Sequence, residues 1–190
     1  MSRRFWLPLF ALVAALAFAG LACDASGPSA PCEVKTSKEA SDRLIQRIKD
    51  TVEGKKTGDE VTLNMTNEEF SSLISESIKE AEANNPDANT TKMDAPIVCF
   101  QGGKLKLFAT IKGDNNSSVN LLVEMTPSVK DGALALTVDN IQLGPIPAPE
   151  EMRTQMSTEM SKSMGDAFST LDLSEVKITD GEMTITGKIK

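Results

Sequence analysis

Histidine is absent from this sequence, and so is tyrosine. Without histidine there can be no Ser-His-Asp or Cys-His arrangement and no histidine-bearing zinc site. The commonest general base is missing as well. No phosphate loop is present, because Gly102-Gly103-Lys104 lacks the required spacing and the following Ser or Thr. Aromatic residues are scarce. Trp6, the only tryptophan, lies near the start together with Phe5, Phe10 and Phe18. Beyond them the core has only Phe70, Phe100, Phe108 and Phe168, so it has to be aliphatic. Bases are outnumbered, 20 against 27 acids, and the net charge of −7 disfavours nucleic acid and anionic lipid surfaces as partners.

Carboxylate pairs occur at Asp59/Glu60, Glu68/Glu69 and Glu150/Glu151. Each falls in a loop or a first helical turn, where acids complement the helix dipole, and this reading outweighs general acid–base chemistry. Asp114, Asn115 and Asn116 carry oxygens that could ligate calcium, but they read more simply as a polar turn. No motif calls for a metal or cofactor, and the chain is expected not to be an enzyme.

The first 22 residues read as a secretion signal. Arg3 and Arg4 precede an apolar run from Phe5 to Ala19, broken only by Pro8, which ends in small residues. A permanent membrane anchor is the competing reading, since the run is only slightly short of a bilayer span. Leu21-Ala22-Cys23 resembles the lipobox of bacterial lipoproteins, in which the cysteine is diacylated and becomes the new N-terminus. Gly20 departs from the Leu-like residue usual three places before the cysteine. An ordinary signal with a chance cysteine is the alternative. The Ala-, Ser-, Gly- and Pro-rich segment from Asp24 to Pro31 suits a tether, and two acyl chains on Cys23 would give stable anchoring. The expected organisation is a signal at 1–22, a lipidated cysteine and tether at 23–35, and one domain at 36–190. Loss of the signal removes Arg3, Arg4 and no acid, so the net charge falls to −9. Export makes a Cys32–Cys99 disulfide the favoured pairing, against two unpaired thiols.

Periodicity gives the elements. Thr36/Glu39 forms a capping box ahead of a helix with Ala40, Leu44, Ile45, Ile48 and Val52 on one face, stopped at Gly54. Glu60 to Met65 alternates as a strand, and Thr66/Glu69 caps a second helix bearing Phe70, Leu73, Ile74, Ile78 and Ala81. From Ile97 the chain reads as antiparallel hairpins. Gly103-Lys-Leu-Lys-Leu, Gly132-Ala-Leu-Ala-Leu and Gly181-Glu-Met-Thr-Ile share a glycine turn and two alternating apolar residues, as in three hairpins of one sheet. A sheet with one apolar face needs a cover, which the amphipathic helices supply. The expected fold class is α+β, a curved antiparallel sheet of hairpins packed against helices.

The third helix, from about Pro149, carries Met152, Met156, Met160 and Met164 at a constant spacing of four, then Phe168. Methionine is flexible and suits surfaces that accept varied apolar partners, so these five are candidates to line a ligand groove. A core helix that happens to use methionine explains the stripe as well.

Val61-Thr-Leu-Asn-Met-Thr-Asn-Glu-Glu-Phe70, the run from Asp131 through Leu143-Gly-Pro-Ile-Pro147, and the closing hairpin Val176 to Ile189 form a pattern. It resembles bacterial envelope lipoproteins of the tubular lipid-binding (TULIP-like) type and related membrane-anchored proteins of unknown function. The resemblance spans about residues 60–190 and includes no catalytic motif. It implies a curved sheet wrapped on a long helix, with a groove that binds a lipid or other apolar ligand without catalysis. The expected location is extracytoplasmic, anchored to a bacterial membrane through Cys23. The alternative is an envelope protein–protein interaction or assembly module with a filled core.

Overall fold

The computed structural model describes residues 27–84, 92–112 and 118–190. The signal, Cys23, Asp114, Asn115 and Asn116 lie outside the described residues.

Helix α1 (Lys38–Val52) starts one residue later than the capping box at Thr36 implied. Ser37 is the N-cap: its Oγ accepts from the Ala40 N–H at 3.1 Å. The Ser37 N–H donates to Ser72 Oγ at 3.1 Å, so the cap that starts α1 also ties it to the next helix. Gly54 follows the C-terminal end in a left-handed conformation, as the stop required. Ala40 and Leu44 are fully buried, whereas Ile45 and Val52 stay exposed. The apolar stripe of α1 is therefore wider than the surface that covers it.

Strand β1 (Glu60–Thr66) buries Val61, Leu63 and Met65 in alternation. It runs directly into α2 (Asn67–Asn84). The Thr66/Glu69 capping box is formed in both directions. The Glu69 N–H donates to Thr66 Oγ1 at 3.3 Å, and the Thr66 N–H donates to Glu69 Oε2 at 3.2 Å.

The hairpins follow as β2 (Lys92–Gln101), β3 (Lys104–Lys112), β4 (Ser118–Lys130), β5 (Ala133–Leu143) and the short β6 (Ile146–Pro147). Then come α3 (Glu150–Ala167), β7 (Leu171–Thr179) and β8 (Glu182–Ile189). Strand β2 is longer than the Ile97–Phe100 segment expected, because a bulge between Asp94 and Ile97 absorbs Pro96 and lets Lys92–Asp94 pair with β3. At the β4–β5 turn both Asp131 and Gly132 have positive φ, the conformation a tight Asp-Gly hairpin demands.

The chain is α+β, with antiparallel pairing throughout the described ladders. The three glycine-led hairpins are present but divided between two sheets. The Gly103 and Gly132 hairpins build a five-stranded sheet in sequence order, β2 to β6. The Gly181 hairpin instead takes β1 as its neighbour, in the order β1-β8-β7. Alternation alone cannot choose partners across 120 residues, since it sets the face of a strand and not its neighbour. Leu173 N–H to Gly132 O (2.9 Å) and Gly181 N–H to Phe100 O (2.9 Å) join the two sheets, and one core runs through both.

Helices α2 and α3 lie along β2 and along the part of β5 that β6 leaves uncovered, by the same device. Along β2, Ser71 Oγ accepts the Val98 N–H (2.7 Å) and Asn67 Oδ1 accepts the Phe100 N–H (2.8 Å). Along β5, Ser161 Oγ accepts the Leu136 N–H and Ser157 Oγ the Val138 N–H, both at 2.8 Å. Two residues of strand rise about 6.8 Å and four of helix about 6 Å, so the spacings match. Ser71 and Ser161 also donate back to the carbonyls of Val98 and Leu136. Strand edges that would otherwise template pairing are thereby satisfied inside the molecule.

Cys32 and Cys99 are joined, with Cα atoms 6.0 Å apart. Cys99 pairs with Lys106 on the sheet face away from Val98 and Phe100, so the linker crosses that outer face. Pro28 O accepts from Asn120 Nδ2 at 3.0 Å. From Pro28 to Cys32 the chain therefore spans β4 to β2 and is fastened at both ends.

Candidate functional site

The two serine-row helices leave a gap between them, and α1 closes one side of it. The result is a cleft of about 450 Å³. Ile48, Thr51 and Val52 come from α1, and Leu73, Ile74, Ser77 and Ile78 from α2. Leu63 and Met65 of β1 contribute the floor with Phe70, while Met164, Ala167, Phe168 and Leu171 complete the wall from α3 and the start of β7. Among the described residues its lining has no charged side chain. Thr51, Ser77 and Thr170 supply hydroxyls at its border; Ser77 and Thr170 are exposed and Thr51 is half-buried. A volume within the 300–1,000 Å³ range of small-molecule sites, with apolar walls and few polar groups, suits an apolar ligand.

A second, smaller gap of about 70 Å³ lies deeper, against the five-stranded sheet. Val98, Leu105, Leu107, Met125 and Leu136 line it from the sheet and Met160 from α3. Phe70, Ile74 and Met164 border both spaces. Met164, an unbranched and flexible side chain, lies between the two spaces.

The methionine stripe is thus only partly in the site. Met164 and Phe168 line the cleft, Met160 lines the inner gap, and Met156 packs half-buried against the core. Met152 is 51% exposed and lies outside both spaces. The cause is geometric: four residues turn a helix through about 400°, so a stripe at that spacing winds about 40° per step and leaves the wall within three steps. The sequence reading missed the contribution of α1. Its signal was the width of the stripe, since Ile48 and Val52 are apolar beyond what Leu44 and Ala40 need to seat the helix.

A charged lock beside the cleft positions α1. Arg47 donates to both Glu69 carboxylate oxygens, at 2.8 and 2.7 Å, and to the Asn64 carbonyl at 2.9 Å. The Glu69 side chain is 5% exposed and that of Arg47 41%. Burial by itself would raise the Glu69 pKa; the hydrogen bonds from Arg47 and Thr66 outweigh it and hold the carboxyl below its ordinary value. The same residue therefore caps α2 and clamps α1 across it.

Asp139 has a comparable but more open setting. Burial pushes its pKa up, and the bonds from Thr126 Oγ1 (2.6 Å) and Lys104 Nζ (3.0 Å) bring it below the usual value. It lies on β5, outside the cleft lining. Among the described residues no group of three or more His, Cys, Asp or Glu is placed to hold a metal ion. Among them, too, no helix is long and apolar enough to cross a membrane.

No protein-family model matches the chain, and a search of curated proteins finds no match.

Proposed function

We propose that this protein is a membrane-anchored extracytoplasmic lipoprotein that binds a lipid or other apolar ligand, without catalysis, in the cleft between α1, α2 and the C-terminal end of α3. The observation that carries this reading is the 450 Å³ apolar cleft itself, whose described lining holds hydroxyls but no charge. A ligand there gains by leaving water, and any charged head would have to remain outside, because an unpaired buried charge is costly. The resemblance to TULIP-like lipoproteins supports the same ligand class, and the Leu21-Ala22-Cys23 motif supports the anchor. A sheet-edge docking role is less favoured, since Ser71, Asn67, Ser157 and Ser161 already occupy edge groups of β2 and β5.

The test is native mass spectrometry of residues 26–190, produced with the disulfide formed and incubated with bacterial lipid extract. Bound mass resolving into a lipid or apolar molecule is expected. It should be lost in Ala167→Trp, which fills the mouth from an exposed position, while circular dichroism stays unchanged. A bare protein mass under these conditions would sink the proposal.

A further inference from the structure

A second surface follows from where the linker is fastened, and it rests on acylation of Cys23 as proposed above. Leu143 at the end of β5 and Ile146 in β6 face each other across the Gly144-Pro145 turn. They are 42% and 68% exposed, so two paired aliphatic side chains face solvent side by side at this turn. The linker is seated on this same turn. Gly27 lies so close to Gly144 that a Cβ on it would collide with the Gly144 backbone. Pro28 O is held by Asn120 Nδ2 at 3.0 Å, and Asn120 O accepts the Gly144 N–H at 2.7 Å. The Cys32–Cys99 bond prevents this segment from peeling away and lengthening its reach.

Cys23 is four residues before Gly27, so even a fully extended chain places its Cα within about 14 Å of that glycine. An acylated Cys23 sits at the bilayer surface. The turn bearing Leu143 and Ile146 is then held within a few residues' reach of that surface, whatever the linker conformation. We propose that the Leu143–Ile146 turn is a membrane-contact surface that inserts its two aliphatic side chains at the headgroup–acyl boundary beside the Cys23 anchor. Glu150 and Glu151 are exposed just beyond it, in the first turn of α3, so the matching surface is zwitterionic lipid rather than an anionic one. Met164 of the cleft lies 12 residues along α3 from Met152, about 18 Å away, and α3 runs along β5 away from Leu143, with Ser157 bonded at Val138 and Ser161 at Leu136. A contact at the Leu143–Ile146 turn therefore leaves the cleft mouth free.

After signal cleavage the chain has no tryptophan, so one introduced residue reports alone. The full-length chain is expressed with its signal, purified as the acylated form and reconstituted into phosphatidylcholine vesicles carrying bromine on the acyl chains. Ile146→Trp is compared with Ile45→Trp, an exposed site on α1. The expected result is a blue-shifted, bromine-quenched emission for Ile146→Trp and neither change for Ile45→Trp. Acylated, vesicle-bound protein whose Ile146→Trp emission matches that in buffer would overturn the contact surface alone. An N-terminal peptide without acyl mass, in protein that fails to float with vesicles, would overturn the anchor and this surface with it. Binding of apolar ligand in the cleft is read separately and would survive either failure.

Discussion

Glu69→Ala should loosen α1 and with it one wall of the cleft. Glu69 Oε2 accepts the Thr66 N–H that opens α2, and the two carboxylate oxygens receive both terminal nitrogens of Arg47. Losing a capping interaction costs about 1 kcal/mol. A bond to a charged group is worth about 1.5–3 kcal/mol when buried. Arg47 is partly in water and can rehydrate when its partner goes, so the ion pair is discounted to about 1–2 kcal/mol. The expected total is about 2–3 kcal/mol, a drop in Tm of roughly 5–10 °C for a domain of this size. Urea unfolding with the disulfide intact measures it. Combining Glu69→Ala with Arg47→Met should give a coupling energy of about 1–2 kcal/mol. Additive single effects would show that the two residues act independently and would refute the lock.

The same pair has a defined pH signature. The folded-state carboxyl of Glu69 lies below its ordinary value of 4.5, so the folded protein holds its proton less tightly than the unfolded chain does. Its contribution is therefore complete above about pH 4.5 and is lost as pH falls through the lower, folded-state pKa. The stability gap between the native protein and Glu69→Gln should be constant from pH 7 to 5 and narrow below that. A gap that stays constant into strong acid would show that shape, and not charge, accounts for the effect.

Reduction of Cys32–Cys99, or Cys32→Ser, should cost about 4 kcal/mol on the chain-entropy model for a bridge between residues 67 apart, read as a lower urea midpoint with and without reductant. Ser71→Ala removes a fully buried hydroxyl that both accepts and donates to Val98, and it should cost about 1–3 kcal/mol. Hydrogen exchange should show faster exchange at the Val98 amide than at Phe100, which keeps its Asn67 partner; equal acceleration of both would point to general loosening of α2.

Much of the fold was legible because period-2 and capping signals are local. Val61, Leu63 and Met65 alternate as expected, Thr66/Glu69 forms both of its hydrogen bonds, and Asp131-Gly132 turns where a hairpin needs positive φ. The cap of α1 slipped to Ser37 because Ser72, a residue 35 positions away, selects between two adequate candidates. Partition into two sheets was not legible, since it depends on which strand β8 meets across the chain. Phe168 and Met164 border the cleft and Met152 does not, because helical winding separates a four-residue stripe over three steps. The serine rows went unread in the sequence. Their signal was an i, i+4 row, Asn67/Ser71 and Ser157/Ser161, but only a neighbouring strand edge turns such a row into a docking face.

That row explains why a cleft exists at all. A helix that covers a sheet with leucines sits over the apolar face and fills it. Helices α2 and α3 instead spend part of their inward surface on hydroxyls and an amide that bond to β2 and β5 backbone. Those bonds require each helix to lie against its strand's edge, and they hold the two axes apart. Phe70, Ile74, Met160 and Met164 reach inward from the two sides and do not fill the space between, as the 70 Å³ gap beneath them shows. At the end where α1 is clamped by Arg47 and Glu69, the gap widens to 450 Å³. The polar rows thus fix the width of the cleft, and the charged lock fixes its third wall. Weakening the rows should alter ligand capacity through helix spacing, even though none of Asn67, Ser71, Ser157 or Ser161 touches the cleft.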